Sequence, residues 1–315
     1  MTINQLSNHT VLITGGAGFI GSHLAKRLAQ DNEVRIIDSL TTGERSNVPS
    51  GVGFVEGDVR NEALLTRVVE DANVIFHEAA LVSVQRSIQT PLESHDINIE
   101  PLLTILEAAR GTEKRVVFAS SAAIYGDPSY VPLDEAHPKR PASPYGLEKL
   151  TADHYCRLYH ELFDVETVSL RYFNAYGPGQ QSGDYSGVVS IFRERALNDE
   201  PILIHGDGTQ TRDFVYVDDI VRANVHAATT EKAVGTAFNI GTGTEVSIRE
   251  LAEEIRDIAG SESEIRHVKR RDGDISESVA DISLAKDVLG YDPEYDIRKG
   301  LNRYLEELTA TAIRE

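Results

Sequence analysis

Among its 315 residues the chain has one cysteine, one methionine and no tryptophan. Cys156 has no partner within the chain, so no internal disulfide staples the fold and a reducing compartment suits it; its expected place is a small packed residue on a helix. No Cys/His spacing of the zinc type occurs, so no metal is expected. No apolar run approaches the roughly 18 residues of a membrane span, and the opening MTINQLSNHT is polar, without a signal-like core. These absences give the expectation of a cytoplasmic protein with no membrane partner. Lysine is scarce too: 8 Lys and 23 Arg face 50 acidic residues, for a net charge of -19. That balance opposes nucleic acid and anionic lipid, and an anionic ligand would need local arginines. A Lys-poor acidic surface suits a high-salt cytoplasm, and it suits an ordinary acidic protein equally.

Against these absences, VLITGGAGFIG at 11–21 packs four glycines into seven positions behind an aliphatic run. Such a cluster marks a tight turn or a backbone surface reserved for a ligand. Val11 to Thr14 reads as a strand buried on both faces, and Phe19, Ile20, Leu24 and Leu28 recur at helical spacing. A helix starting inside the glycines aims free N–H groups and its positive dipole end at an anion such as a pyrophosphate. Gly15, Gly18 and Gly21 give GxxGxxG, which meets the GxGxxG fingerprint only approximately. The next aliphatic run, Glu33 to Ile37, ends on Asp38, about twenty residues beyond the glycines. A carboxylate there suits two ribose hydroxyls and repels a 2′-phosphate, which points to NAD rather than NADP, although Asp38 also fits a simple surface turn.

A chain of this length buries roughly three quarters of its unfolded surface. Short aliphatic runs alternate with helical patterns through the first half, predicting βα units and an α/β fold with a Rossmann-type, doubly wound parallel sheet. Expected strands are 10–14, 33–38, 52–56, 74–77, 115–120 and 166–171; the clearest helices are 61–71, 97–110 and 145–163, with Pro101 starting or kinking the second. After Asn174 the regularity breaks. The expected division is an NAD-binding domain over 1–173, rejoined by segments near 214–240, and a smaller mixed α/β substrate domain over 174–315.

The second chemical stretch is SPYGLEK at 143–149, where Tyr145 and Lys149, four apart, share a helix face. A phenol is a poor base at neutral pH, and lowering its pKa by about three units takes roughly 4 kcal/mol of preferential phenolate stabilisation. An adjacent ammonium and a positively charged nicotinamide ring are able to supply it. An isolated YxxxK is ordinarily a tyrosine packed over a lysine stem; its position after a dinucleotide-binding pattern favours catalysis. Ser120 and Ser121 end the preceding strand, at the sheet edge where ligands of this architecture bind, and Ser121 is the preferred hydrogen-bonding partner for a reacting hydroxyl.

With TGGAGFIGSHL at 14–24, Asp58-Val59, HEAA at 77–80, Ser121, Tyr145 with Lys149, RYFNAYGPGQ at 171–180 and RDFVYVDD at 212–219, the chain resembles the extended short-chain dehydrogenase/reductase family in its nucleotide-sugar epimerase and dehydratase branch. The resemblance implies that Gly15, Gly18, Phe19, Ile20, Gly21 and Asp38 hold NAD and that Asp58 and Val59 lie against adenine. It also implies that Ala79, Ala80 and Asn98 flank the cofactor, that Lys149 holds the nicotinamide ribose, and that Phe173 and Asn174 bridge the cofactor and substrate sites. Asn174 and Arg212 would meet a UDP diphosphate, with Arg271 and Asp274 on diphosphate and ribose. Relatives pair through two long helices, here 92–110 and 145–163, implying a homodimer.

Dehydratases of the branch carry an Asp-Glu pair directly after the catalytic Ser/Thr, and decarboxylases a Glu; here Ala122 and Ala123 stand there. Reductases of the branch use a Cys and a His near the site, and Cys156 lies too far along the Tyr145 helix. The implied chemistry is therefore 4-epimerisation of a UDP-hexose through a transient 4-keto sugar, with Tyr145 and Ser121 handling the C4 hydroxyl. Ser278 occupies a position where narrower epimerases carry a bulky Tyr, which makes UDP-GlcNAc/UDP-GalNAc plausible substrates beside UDP-Glc/UDP-Gal. The alternatives are a UDP-glucuronate 4-epimerase and a non-catalytic NAD-sensing regulator, the latter at odds with the intact Tyr/Lys pair. Val82 replaces a Lys that some epimerases place near the cofactor phosphates.

Overall fold

The computed structural model describes residues 6–180, 187–270 and 275–312. Arg271 and Asp274, expected on diphosphate and ribose, lie outside the described residues. The first half runs β1 (Thr10–Thr14), α1 (Phe19–Leu28), β2 (Glu33–Asp38), β3 (Gly53–Glu56), α2 (Glu62–Glu70), β4 (Val74–His77), α3 (Val84–Gln89), α4 (Pro91–Asn98), α5 (Glu100–Ala109), β5 (Arg115–Ser121), α6 (Pro144–Phe163) and β6 (Glu166–Tyr172). The expected helix over 97–110 is two helices. Ile99 sits between them at φ -114° and ψ -56°; Pro101, in the first turn of α5, has no N–H to carry the ladder across.

The second half runs β7 (Asn174–Tyr176), α7 (Val188–Leu197), β8 (Ile202–His205), β9 (Thr211–Arg212), β10 (Phe214–Tyr216), α8 (Val217–Thr229), β11 (Thr236–Ile240), β12 (Val246–Ser247), α9 (Ile248–Ala259), β13 (Ile265–Val268) and α10 (Ile297–Ala312). Seven strands form one sheet in the order β11-β6-β5-β4-β1-β2-β3, every pairing parallel. The remaining strands pair two by two, β10 with β7, β12 with β9 and β13 with β8.

Alternation along the strands builds both faces of the sheet. Val11 and Ile13 point into a core shared with Leu24 and Leu28 of α1 and Ile220 of α8, whereas Leu12 points to the opposite core with Val69 of α2, Ile105 of α5 and Cys156 of α6. A third core, with Phe192, Ile204, Tyr216, Leu251 and Tyr304, draws its buried residues from the second half, and Phe19 and Ile20 of α1 pack against it. The strand order reverses at β1 and β4, whose last residues Thr14 and His77 are in register. A crevice beyond the carboxyl ends of such a pair is the ligand site of an open α/β sheet.

Candidate active site

A cavity of about 630 Å³ opens at that reversal and runs from Asp38, Asp58 and Val59, past Gly15 to Gly21, to Ser121, Tyr145 and Lys149, and on to Phe173, Asn174 and Gln180. Nearly every expected cofactor residue thus borders one space. Gly15, Gly18, Phe19, Ile20, Gly21, Ala79 and Ala80 all line it.

The glycines serve more than one purpose. Gly15 has φ +67°, and a Cβ there would stand 2.8 Å from the Ala79 nitrogen, so the turn after β1 can pack on the turn after β4 only without a side chain. A Cβ on Gly21 would collide with the Gly15 carbonyl oxygen. Those two positions are dictated by the chain's own packing. Gly18 is different: it caps α1 without a side-chain cap, and the first turn of that helix carries no acidic residue. The bare N-terminus is left to the cavity, as a pyrophosphate requires.

Asp38 is buried, and both its oxygens already accept backbone hydrogens, Oδ2 from Ala17 N at 2.9 Å and Oδ1 from Leu40 N at 2.8 Å. It therefore organises the glycine turn as well as facing the cavity, and a carboxylate retains further lone pairs for ribose hydroxyls. Asp58 accepts from Arg60 Nε at 3.0 Å, and that guanidinium holds it below the usual carboxylate range.

At the other end, Ser143 caps α6 by accepting from Gly146 N at 3.1 Å, and Pro144 opens the helix with φ already suited to it. Tyr145 and Lys149 are then both buried one turn apart. Lys149 Nζ donates to Ala119 O at 2.7 Å and lies 6.0 Å from the Tyr145 ring centre. Burial lowers its pKa to about 8, against the raising pull of Glu78 and Glu148. Burial pushes the Tyr145 phenol up, a hydrogen bond from Ser121 pulls it down, and Glu148 and Glu78 push it up again. Lys149 alone does not activate the phenol in the bare protein. A positive charge arriving in the cavity is the missing ingredient.

Both serines line the cavity, and they differ in their partners. Ser120 Oγ donates to Asp153 at 3.1 Å inside a buried pair with Arg171, while Ser121 reaches the Tyr145 phenol and accepts from Ala123 N. Asn98, by contrast, is buried behind the cavity wall. Its Oδ1 accepts from Leu81 N at 2.8 Å and its Nδ2 donates to Glu148 at 2.7 Å, so it fixes the chain just after Ala79 and Ala80. Arg212 and Ser278 also stand outside the lining. Between them, the buried Asp213 accepts from Thr242 N and Ala280 N, tying their segments together. Sequence reasoning passed over Glu78, Glu148 and Asp213. Only Glu78 had a signal, as the one ionisable cavity-facing residue in HEAA.

Residues 11–241 match the model of the NAD dependent epimerase/dehydratase family. The chain belongs to that family. As a member of the NAD-dependent epimerase/dehydratases, of the extended short-chain dehydrogenase/reductase type, it takes NAD as cofactor, and the glycine turn, the Asp38 carboxylate and the Lys149 ammonium along one cavity fit that group. The solved structures similar to it include three that bear on the chemistry. The Thermotoga maritima UDP-glucose 4-epimerase with UDP-glucose is 36% identical, over 96% of this chain and 99% of that one, with a TM-score of 0.92. A Methanobrevibacter ruminantium UDP-N-acetylglucosamine 4-epimerase in complex with UDP-N-acetylmuramic acid is 34% identical over 97% and 100%, TM-score 0.92. A Bacillus cereus UDP-glucuronic acid 4-epimerase variant, with a fluorinated UDP-glucuronic acid and NAD, is 32% identical over 96% and 99%, TM-score 0.88. Among the described residues no helix is long and apolar enough to cross a membrane.

Proposed function

We propose that this enzyme is a UDP-hexose 4-epimerase acting on UDP-Glc/UDP-Gal and on UDP-GlcNAc/UDP-GalNAc. The observation that carries the reading is the grouping of Ser121, Tyr145 and Lys149 on the cavity that holds the glycine turn and Asp38, with alanines directly after Ser121. The similar structures named above all concern 4-epimerases. NAD, when bound, supplies the hydride acceptor and a positive ring. Tyr145 Oη takes the proton of the sugar C4 hydroxyl, Ser121 Oγ orients that hydroxyl, and Lys149 Nζ, anchored on Ala119, holds the nicotinamide ribose. The 4-keto sugar turns over while its UDP stays anchored, so that the hydride is returned to the opposite face of C4 while Tyr145 Oη returns the proton to the C4 oxygen.

Asn174, Arg212, Arg271 and Asp274 are assigned to the UDP moiety, and residues 174–315 mainly to substrate binding. Ser278 is assigned to the space beside sugar C2, where a small side chain leaves room for an N-acetyl group. UDP-glucuronate is the competing substrate, in keeping with the Bacillus cereus structure. NMR of the enzyme incubated separately with UDP-glucose, UDP-GlcNAc and UDP-glucuronate, following the anomeric protons, tests the assignment. Epimers from the first two are expected, and Ser278→Tyr should cut turnover of UDP-GlcNAc at least tenfold more than that of UDP-glucose. Turnover of UDP-glucuronate alone would move the assignment to that sugar.

We also propose a homodimer through α4, α5 and α6. Leu147, Leu158 and Leu162 are exposed on α6 and fall within an arc of about 60° at 100° per residue, and Leu92 on α4 is 82% exposed. Light scattering giving the mass of one chain would remove the idea.

A further inference from the structure

Glu78 follows β4, and its carboxylate oxygen Oε1 accepts from Tyr172 OH, at the end of β6, at 2.9 Å. In the sheet β5 lies between those two strands, so the Glu78 side chain spans the end of β5, where Ser121 sits, and reaches the catalytic half of the cavity. The adenosine end lies the opposite way, toward β2 and β3. Tyr172 OH in turn accepts from Asn224 Nδ2 at 2.7 Å, and Asn224 is anchored on Ile220 O. The carboxylate is thereby held in one place by a buried relay from α8. Both Glu78 and Tyr172 line the cavity.

The charged and titratable groups around it are few. Lys149, Tyr145 and Glu148 stand on α6, Tyr172 on β6 and His77 on β4 itself. Lys149 is the cation that acts on Glu78, and Lys149 Nζ is already bonded to Ala119 O. Burial nevertheless pushes the Glu78 carboxyl up to about 7, so one lysine does not fully compensate a carboxylate at this position. A second positive charge in the same space would.

We propose that Glu78 is the counter-charge for the oxidised nicotinamide ring, biasing the bound cofactor toward NAD and against NADH. A fixed carboxylate stabilises a positively charged ring more than a neutral one, and in a low-dielectric cavity that difference is large. The benefit to a reaction that takes a hydride and returns it is that the resting enzyme is biased toward the oxidised cofactor. The inference rests on the family's cofactor and on no choice of sugar.

Isothermal titration of cofactor-free enzyme with NAD and with NADH, in the absence of any nucleotide sugar, reads the effect directly. The ratio Kd(NAD)/Kd(NADH) should rise about tenfold in Glu78→Gln, equivalent to about 30 mV in the potential of the bound two-electron couple, and should stay within twofold in Glu78→Asp. Glu78→Leu, neutral and without the bond to Tyr172, must move the ratio in the same direction. Equal weakening of both cofactors in the neutral variants, or an unchanged ratio, overturns the proposal. Because no sugar is present, the outcome is independent of whether the substrate assignment stands.

Discussion

The two ends of the cavity are built on opposite electrostatic plans. At the end bordered by β2 and β3, Asp58 sits at the surface beside Arg60, which keeps it ionised, and Asp38 is fastened by two backbone N–H groups. At the end bordered by β5 and β6, Tyr145, Lys149 and Glu78 are enclosed together, and burial moves Lys149 and Glu78 toward neutrality, to about 8 and about 7. One end holds fixed charges, which on the proposed function serve recognition, and the other holds groups whose charge is marginal, as the proposed proton exchange requires. Charge state at each end is thus settled by what already neutralises each group before any ligand arrives.

The comparison breaks first if Tyr145 is dispensable. Tyr145→Phe removes the phenol that Ser121 reaches while keeping the ring, and kcat should fall about a thousandfold, in the range of a general acid–base contribution. NAD affinity should change by no more than a few fold, since the hydroxyl belongs to the proton-exchanging end. A comparable loss of NAD binding, measured by titration calorimetry, would mean that the two ends are not separate.

At the recognition end, Asp38→Ala should weaken NAD about 30- to 100-fold. The lost ribose acceptor accounts for it, a hydrogen bond to a charged group being worth about 1.5–3 kcal/mol; release of Ala17 N and Leu40 N loosens the glycine turn with and without cofactor. The preference for NAD over NADP should shrink at the same time. Because Asp38 does no chemistry, kcat at saturating cofactor should remain within about threefold; a kcat that falls with affinity would count against the division between the ends.

The legibility of the molecule follows the same line. The first half was readable because its elements are local: Val11 to Thr14 alternates between two cores, the glycine turn follows at once, and Ser143-Pro144 announces α6. Tyr145 and Lys149 are one helical turn apart, so spacing alone brought them together. Groups whose roles depend on distant partners were not readable. Glu148 matters because Ser94 and Asn98 donate to it from α4, Asp213 because Thr242 and Ala280 converge on it, and Glu78 because Tyr172, 94 positions away, reaches it. The rise of the Tyr145 pKa was hidden for the same reason, since it is set first by burial and then by Glu148 and Glu78, and only the fold supplies either. The sequence places Asn98 near the cofactor and only the fold puts it behind the wall, because a motif gives a residue's neighbourhood and not the direction of its side chain.

The smallest expected effect concerns stability rather than rate, and it sharpens the proton-exchanging end specifically. Burial raises the Glu78 carboxyl from an ordinary 4.5 to about 7. A group whose pKa is higher in the folded chain adds stability that is complete below the unfolded value and is lost as pH rises to the folded one. Cofactor-free wild-type enzyme should therefore lose on the order of 2 kcal/mol from this group between about pH 4.5 and pH 7, a shift of a few degrees in Tm. Glu78→Gln carries no such titration. The Tm of the variant minus that of the wild type should thus become more positive from pH 5 to pH 8, by differential scanning calorimetry without NAD, and bound NAD should reduce the trend by giving the carboxylate its counter-charge. Asp58→Asn should show no trend of that sign, because Asp58 is held ionised below the usual range; a parallel rise in both variants would show that the contrast between the two ends is not electrostatic.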